Sequence, residues 1–145
     1  PGAIRRPGVL ARSAQGTAMR FEHVGINVPD ARAMANWYVK HLGMRAVREQ
    51  HNPPYTHFLA DATGRVVLEV YSNPVALMPD YSAQHPLRYH HAFAVENPLA
   101  EKVRLEHAGA TTLSVDHPQD GSTLVMMRDP WGVPLQLCKR AKPMA

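Results

Sequence analysis

Two pairs of polar residues share one spacing in this 145-residue chain. His23 and His90 stand 67 positions apart (23 to 90), and so do Glu69 and Gln136 (69 to 136). Glu69 is the lone polar residue of Val67-Leu68-Glu69-Val70-Tyr71, and Gln136 that of Pro134-Leu135-Gln136-Leu137-Cys138. An ionised carboxylate inside an apolar strand is costly unless a cation or strong donors meet it. Two imidazoles, a carboxylate and an amide supply a mixed nitrogen and oxygen donor set, which suits a divalent metal if the fold makes them converge.

The elements that must position these residues repeat with the same period. Residues 20–28 read as a strand, with Asp30 capping a helix from Ala31 to Leu42 that Gly43 ends. Met34, Trp37, Tyr38 and Leu42 give that helix one apolar face. Strands follow at 44–49, 55–60 and 65–71, the last two around the turn Asp61-Ala62-Thr63-Gly64. The second half repeats the order: a strand at 88–95, then Asn97 and Pro98 opening a helix with Leu99, Val103 and Leu105 as its apolar face. Strands at 111–115, 122–127 and 133–138 complete it, around the turn Asp129-Pro130-Trp131-Gly132. The capping residues Asp30 and Asn97 are again 67 apart (30 to 97). This is an internal duplication. The fold class it predicts is α+β: two tandem βαβββ modules forming an eight-stranded open cup. Because side chains alternate across a strand, equivalent residues of the two modules face equivalent sides.

The expected boundaries are a disordered extension at 1–18, module one at 19–72, a proline-rich linker or lid at 73–87, module two at 88–138, and a basic tail at 139–145. The net charge of +4 misleads. Arg5, Arg6, Arg12, Lys139, Arg140 and Lys142 lie in the terminal segments, and without them ten basic residues face twelve acidic ones. No basic face with interleaved aromatics emerges, so nucleic acid is not an expected partner. No apolar run approaches the roughly 20 residues that span a bilayer. The single cysteine, Cys138, allows no internal disulfide, and a cytoplasmic location is expected.

Several motifs together resemble the vicinal oxygen chelate superfamily, which includes glyoxalase I, methylmalonyl-CoA epimerase, extradiol dioxygenases and fosfomycin- and bleomycin-resistance proteins. They are His23-Val24-Gly25-Ile26-Asn27-Val28-Pro29-Asp30, Trp37-Tyr38-Val39-Lys40-His41-Leu42-Gly43, Leu68-Glu69-Val70, His90-His91-Ala92-Phe93-Ala94-Val95, and the Asp129-Pro130-Trp131-Gly132 turn with its following strand. The resemblance covers residues 20–138 and implies metal ligation by His23, Glu69, His90 and Gln136. It also implies a homodimer, with sites either within a chain or across the interface. The order His, Glu, His, Gln departs from His, Glu, His, Glu of bacterial glyoxalase I and His, Gln, His, Glu of the epimerase. It departs further from extradiol dioxygenases and fosfomycin enzymes, which use two His and a final Glu. Gln136 cannot act as a base, which leaves Glu69 as the expected catalytic residue.

The resulting expectation is a metal-dependent lyase or isomerase. A divalent ion (Ni, Co, Zn, Mn or Fe(II)) would chelate adjacent oxygens of a small substrate while a proton leaves the carbon next to a carbonyl. Two alternatives stand beside it: an Fe(II)-dependent dioxygenase, and a non-catalytic protein sequestering an antibiotic-type ligand. Asn27, His57, Tyr71 and Cys138 are expected around the substrate. Tyr71 and Cys138 follow Glu69 and Gln136 by two positions and so share their face, whereas His57 lies on a hairpin strand. His91 points opposite to His90 and is expected to be structural or at the surface.

Overall fold

The computed structural model describes residues 18–144, so the expected extension lies outside the described residues but for its last position. Module one comprises β1 (Val24–Asn27), α1 (Ala31–Leu42), β2 (Arg45–Glu49), β3 (His57–Ala60) and β4 (Val66–Tyr71). Module two comprises β5 (His91–Ala94), α2 (Pro98–His107), β6 (Thr111–Asp116), β7 (Thr123–Arg128) and β8 (Pro134–Lys139). The eight strands fall into two sheets of four, ordered β1-β4-β3-β2 and β5-β8-β7-β6. β1 runs parallel to β4, and β5 to β8, while the remaining pairs are antiparallel. Each parallel pair follows from a strand returning to its sheet after a helix. This is the α+β, two-module architecture that the duplication predicts.

Local chemistry sets the helix ends in both copies. The Asp30 carboxylate accepts from the Ala33 amide at 3.0 Å, and the Asn97 side chain accepts from the Ala100 amide at 3.1 Å. Gly43 ends α1 at φ 67°, a left-handed conformation that glycine adopts without penalty. α2 differs from its predicted amphipathic face. Leu105 is fully buried, but Leu99 and Val103 are about half exposed. Val103 lies two residues before Leu105, roughly 200° around the helix, so the two cannot meet one sheet. β1 and β5 are also shorter than expected. Each is an edge strand, paired on one side only, and His23 and His90 sit just ahead of them.

The 73–87 segment is tied to both modules rather than hanging free. The Tyr81 hydroxyl donates to the Asn27 carbonyl at 2.9 Å. The Arg128 guanidinium donates to the carbonyls of Tyr81 and Gln84, each at 2.7 Å. Gly132 (φ 82°) lies against Ser82 so closely that a Cβ would collide with it. At the C-terminal end, β8 takes in Lys139, the first residue of the expected basic tail. Among the described residues no helix is long and apolar enough to cross a membrane.

The modules join through their helix sides, by reciprocal bonds. Trp37 Nε1 donates to the Ala108 carbonyl at 2.8 Å, and Arg104 Nη2 donates to the His41 carbonyl at 2.7 Å. These are copies of one contact, since 37 to 104 and 41 to 108 are the same step. Beside it lies a buried polar cluster. The Tyr38 hydroxyl donates to Asp129 Oδ2 at 2.8 Å, so its oxygen can only accept from His91 Nε2 at 2.9 Å. That places the His91 proton on Nε2 and leaves Nδ1 to accept from the Tyr89 hydroxyl at 3.3 Å. Burial pushes His91 down to about 4, with the neighbouring His90 adding to the effect, so the ring is neutral near pH 7. Burial likewise pushes Asp129 up to about 6, against the hydrogen bonds that favour its charge. Of the two roles expected for His91, structural or surface, the bonded and buried ring has the structural one.

Replacing Tyr38 by Phe strands the Asp129 carboxylate and the His91 N–H in an apolar interior. We expect a loss of about 1–3 kcal/mol of stability, read as a lower urea midpoint with an unchanged slope. An unchanged midpoint would remove this cluster from the account of how the modules are held.

Candidate functional site

Strand register decides which residues share a face. Gly25 pairs with Glu69, and Asn27 with Tyr71, across the parallel β1–β4 ladder. Phe58 pairs with Glu69 across β3–β4. Ile26, Leu59, Leu68 and Val70 are buried on the helix side of this sheet, so Glu69, Tyr71, Phe58 and Gly25 belong to its open side. His23, two residues before Gly25, joins them: its Nε2 lies 3.1 Å from Glu69 Oε2. Its ring stands edge-on to Phe58, with centroids 5.5 Å apart at 84°. The other ring nitrogen, Nδ1, meets the Glu22 carboxylate. His23 therefore lies between two carboxylates.

Gly25 makes the room for this pair. A Cβ at Gly25 would lie 3.1 Å from Glu69 Oε2 and 3.2 Å from the Tyr71 ring, both tighter than ordinary van der Waals contact. The equivalent face of the second sheet is built the same way. Ala92 and Met126 both pair with Gln136, and Ala94 pairs with Cys138. His90 Nδ1 donates to the Pro86 carbonyl at 3.1 Å, which leaves the Nε2 lone pair of a neutral ring available. Gln136 Oε1 accepts from Cys138 Sγ at 3.2 Å.

The structure thus brings His23 to Glu69 and sets Gln136 on the matching face of the other sheet, with His90 just ahead of β5, where it also lines the cleft between the modules. It does not unite the four in one chain. Among the described residues no three His, Cys, Asp or Glu side chains gather closely enough to hold a metal ion. The half set does fit one. Two donors at right angles in an octahedral site, at about 2.1 Å, stand about 3.0 Å apart, close to the 3.1 Å between His23 Nε2 and Glu69 Oε2. The carboxylate on Nδ1 is the outer partner that metal-binding imidazoles ordinarily have.

The other expected pocket residues divide. Tyr71 lies on the open face beside Glu69. Asn27 shares that face by register, but its amide is committed: it donates to the Asn73 carbonyl at 2.9 Å and accepts from the Asn73 amide at 2.7 Å. His57 faces the other way. It pairs with the fully buried Val70, is 6% exposed, and its Nδ1 donates to the Tyr55 carbonyl at 2.6 Å. Its neighbour Phe58 takes the place beside Glu69, so His57 is a packing residue rather than a pocket acid or base. Cys138 is buried, and that burial pushes its thiol up and away from the reactive thiolate. Glu22 and Gly25 escaped the sequence reading, although Glu22 is adjacent to His23 and Gly25 sits at the position facing Glu69.

The Glyoxalase/Bleomycin resistance protein/Dioxygenase superfamily model matches residues 20–137, and the chain belongs to that family. A glyoxalase family protein from Enterococcus faecalis is 29% identical, covers 83% of this chain and 97% of its own, and superposes with a TM-score of 0.62. A lactoylglutathione lyase from Agrobacterium tumefaciens is 16% identical, covers 84% and 94%, and gives a TM-score of 0.61. An antibiotic binding protein from a Streptomyces species is 16% identical, covers 86% and 98%, and gives 0.65. No curated protein matches the sequence. At 16% identity the last two structures establish the shared fold alone, and the family holds both enzymes and binding proteins.

Gly25→Val should force the Glu69 carboxylate off His23 while leaving the fold intact. We expect the His23 ring nitrogen resonances to move, with the unfolding free energy changed by less than about 1 kcal/mol. Unmoved His23 resonances would show that Gly25 does not make the space for this pair.

Proposed function

We propose that this protein is a metal-dependent enzyme that removes a proton from the carbon next to a carbonyl of a small oxygen-rich substrate, as a lyase or isomerase. The observation that carries the reading is the His23–Glu69 pair on the open face of the first sheet, 3.1 Å apart, with Glu22 behind His23. His23 and Glu69 would hold a divalent cation, together with His90 and Gln136. Such a cation supplies Lewis acidity toward adjacent substrate oxygens. Glu69 accepts the proton: it is the one carboxylate of the set, and its side chain is 24% exposed, enough to meet a substrate. Glu22 holds the His23 ring in place. Gln136, an amide, can orient or ligate but cannot take a proton. Tyr71, in contact range of the same space, presents a phenol to the substrate.

A single chain brings only His23 and Glu69 of this set together, so the reading requires a homodimer. The open sheet face of one copy, with His23 and Glu69, meets that of a second copy, with His90 and Gln136. The edges of β1 and β5, like those of β2 and β6, carry unpaired backbone groups at which a second copy could adjoin. The Fe(II) dioxygenase reading is weaker, because an amide stands where its carboxylate is required. The sequestering reading keeps one supporting feature, a structurally similar antibiotic binding protein.

The test is a metal titration followed by isotope exchange. The protein purified without chelator is expected to bind a divalent transition metal at micromolar concentration, with affinity lowered at least about tenfold by His23→Ala or His90→Ala. The loaded protein should exchange deuterium from solvent into the carbon next to the carbonyl of some member of a panel of small 2-oxo and 2-hydroxycarbonyl compounds. Glu69→Gln should slow that exchange by about 10²–10⁴-fold. Absence of metal binding at micromolar level, or exchange untouched by Glu69→Gln, would overturn the reading.

A further inference from the structure

The two modules are built on one plan, and the places where they depart from it leave a cavity. At the end of module two, Tyr38 and Trp37 of α1 enter against the Asp129-Pro130-Trp131-Gly132 turn. Tyr38 donates to Asp129 Oδ2, and Trp37 packs edge-on against Trp131 with centroids 6.4 Å apart. The copy of that turn in module one is Asp61-Ala62-Thr63-Gly64, and its backbone is the same. Gly64 N donates to the Asp61 carbonyl and Gly132 N to the Asp129 carbonyl, both at 2.9 Å. The Thr63 and Trp131 amides donate to their respective Asp Oδ1 atoms, again both at 2.9 Å. The residues that enter against it are the copies of Trp37 and Tyr38, namely Arg104 and Leu105.

So an indole has become a guanidinium, a phenol an isobutyl group, and a second indole the Thr63 side chain. Arg104 keeps the polar half of the role of Trp37 by donating to the His41 carbonyl. Nothing replaces the aromatic volume. A cleft of about 460 Å³ lies there, lined by Val24, Met44, Asp61, Thr63, Phe93 and Leu105 among others. That size suits a small molecule. Asp61 also lacks the partner that its copy has. Its Oδ1 accepts from Thr63, but its Oδ2, where Asp129 accepts the Tyr38 hydroxyl, has no hydrogen-bond partner among the described residues.

We propose that this cleft, which His90 and Ala92 also line, is a second ligand site apart from His23 and Glu69, and that it takes a small hydroxyaromatic compound. The ring fills the apolar space that the aromatic residues fill in the other module, and its hydroxyl donates to Asp61 Oδ2 as Tyr38 donates to Asp129. The template is the protein itself: its own phenol occupies the equivalent position 67 residues away in the repeat.

The probe is p-cresol, the side-chain analogue of tyrosine, with toluene as its counterpart lacking the hydroxyl. Binding is followed by chemical-shift perturbation on the full chain. The shifts are expected at Val24, Thr63, Phe93 and Leu105, with p-cresol bound more tightly than toluene. Thr63→Trp restores the indole of the other copy at an exposed turn position and should abolish binding of both probes. Asp61→Asn keeps the Oδ1 acceptor that holds the turn and should weaken p-cresol about tenfold while leaving toluene unchanged. The proposal is overturned if neither probe shifts these residues, or if Thr63→Trp leaves binding intact. Equal affinity of the two probes would overturn the assigned role of Asp61. Binding seen only after dilution to monomer would show that a second copy, not a small molecule, covers the cleft.

Discussion

The reciprocal seam between the helices sets everything else. Trp37 reaches the Ala108 carbonyl, Arg104 reaches the His41 carbonyl, and Tyr38 is sealed between Asp129 and His91. These bonds join the modules through their helix sides, and one apolar core runs through both. The consequence for function is geometric. If the helix sides meet within the chain, the open faces that carry His23, Glu69, His90 and Gln136 are turned outward. Among the described residues, His23, Glu69 and His90 do not gather within one chain.

The second consequence is asymmetry. Duplication places a polar residue at the same point of β4 and β8, but one is a carboxylate and the other an amide. The Glu69 side is also the side where a second carboxylate, Glu22, backs the histidine. His90 has a backbone carbonyl in that position instead, which fixes the ring without adding charge. The same loss of equivalence appears on the helix side. There the aromatic residues of one junction become Arg104, Leu105 and Thr63 at the other, and the interior opens.

Much of this was legible in the sequence. Helix caps and glycine stops marked α1 and α2 because they act through local hydrogen bonds, and the constant spacing exposed the duplication. The grouping of His23 with Glu69 came from the repeat spacing and the family resemblance, and the β1–β4 register places the two side by side. Facing failed where the phase of a strand was unanchored. His57 and Phe58 are neighbours on β3, and only the register with β4 shows that Phe58 takes the open side. Leu99 and Val103 were read as buried because they are apolar, although their angle from Leu105 argued otherwise. The role of Tyr38 depends on Asp129, 91 residues away, and nothing local signals such a contact. The comparison of the two copies residue by residue does signal the cleft, since Trp37-Tyr38 against Arg104-Leu105 is visible in the sequence once the period is known.

The central claim is that two copies build one site, and mixing tests it directly. His23→Ala and His90→Ala chains, unfolded, combined in equal amounts and refolded, give heterodimers in half of the pairings, each with one site carrying both changes and one carrying neither. The account predicts that the mixture recovers about a quarter of the wild-type metal sites, where each variant alone has none of full affinity. Metal binding in the mixture no greater than in the separate variants would contradict a site shared between copies.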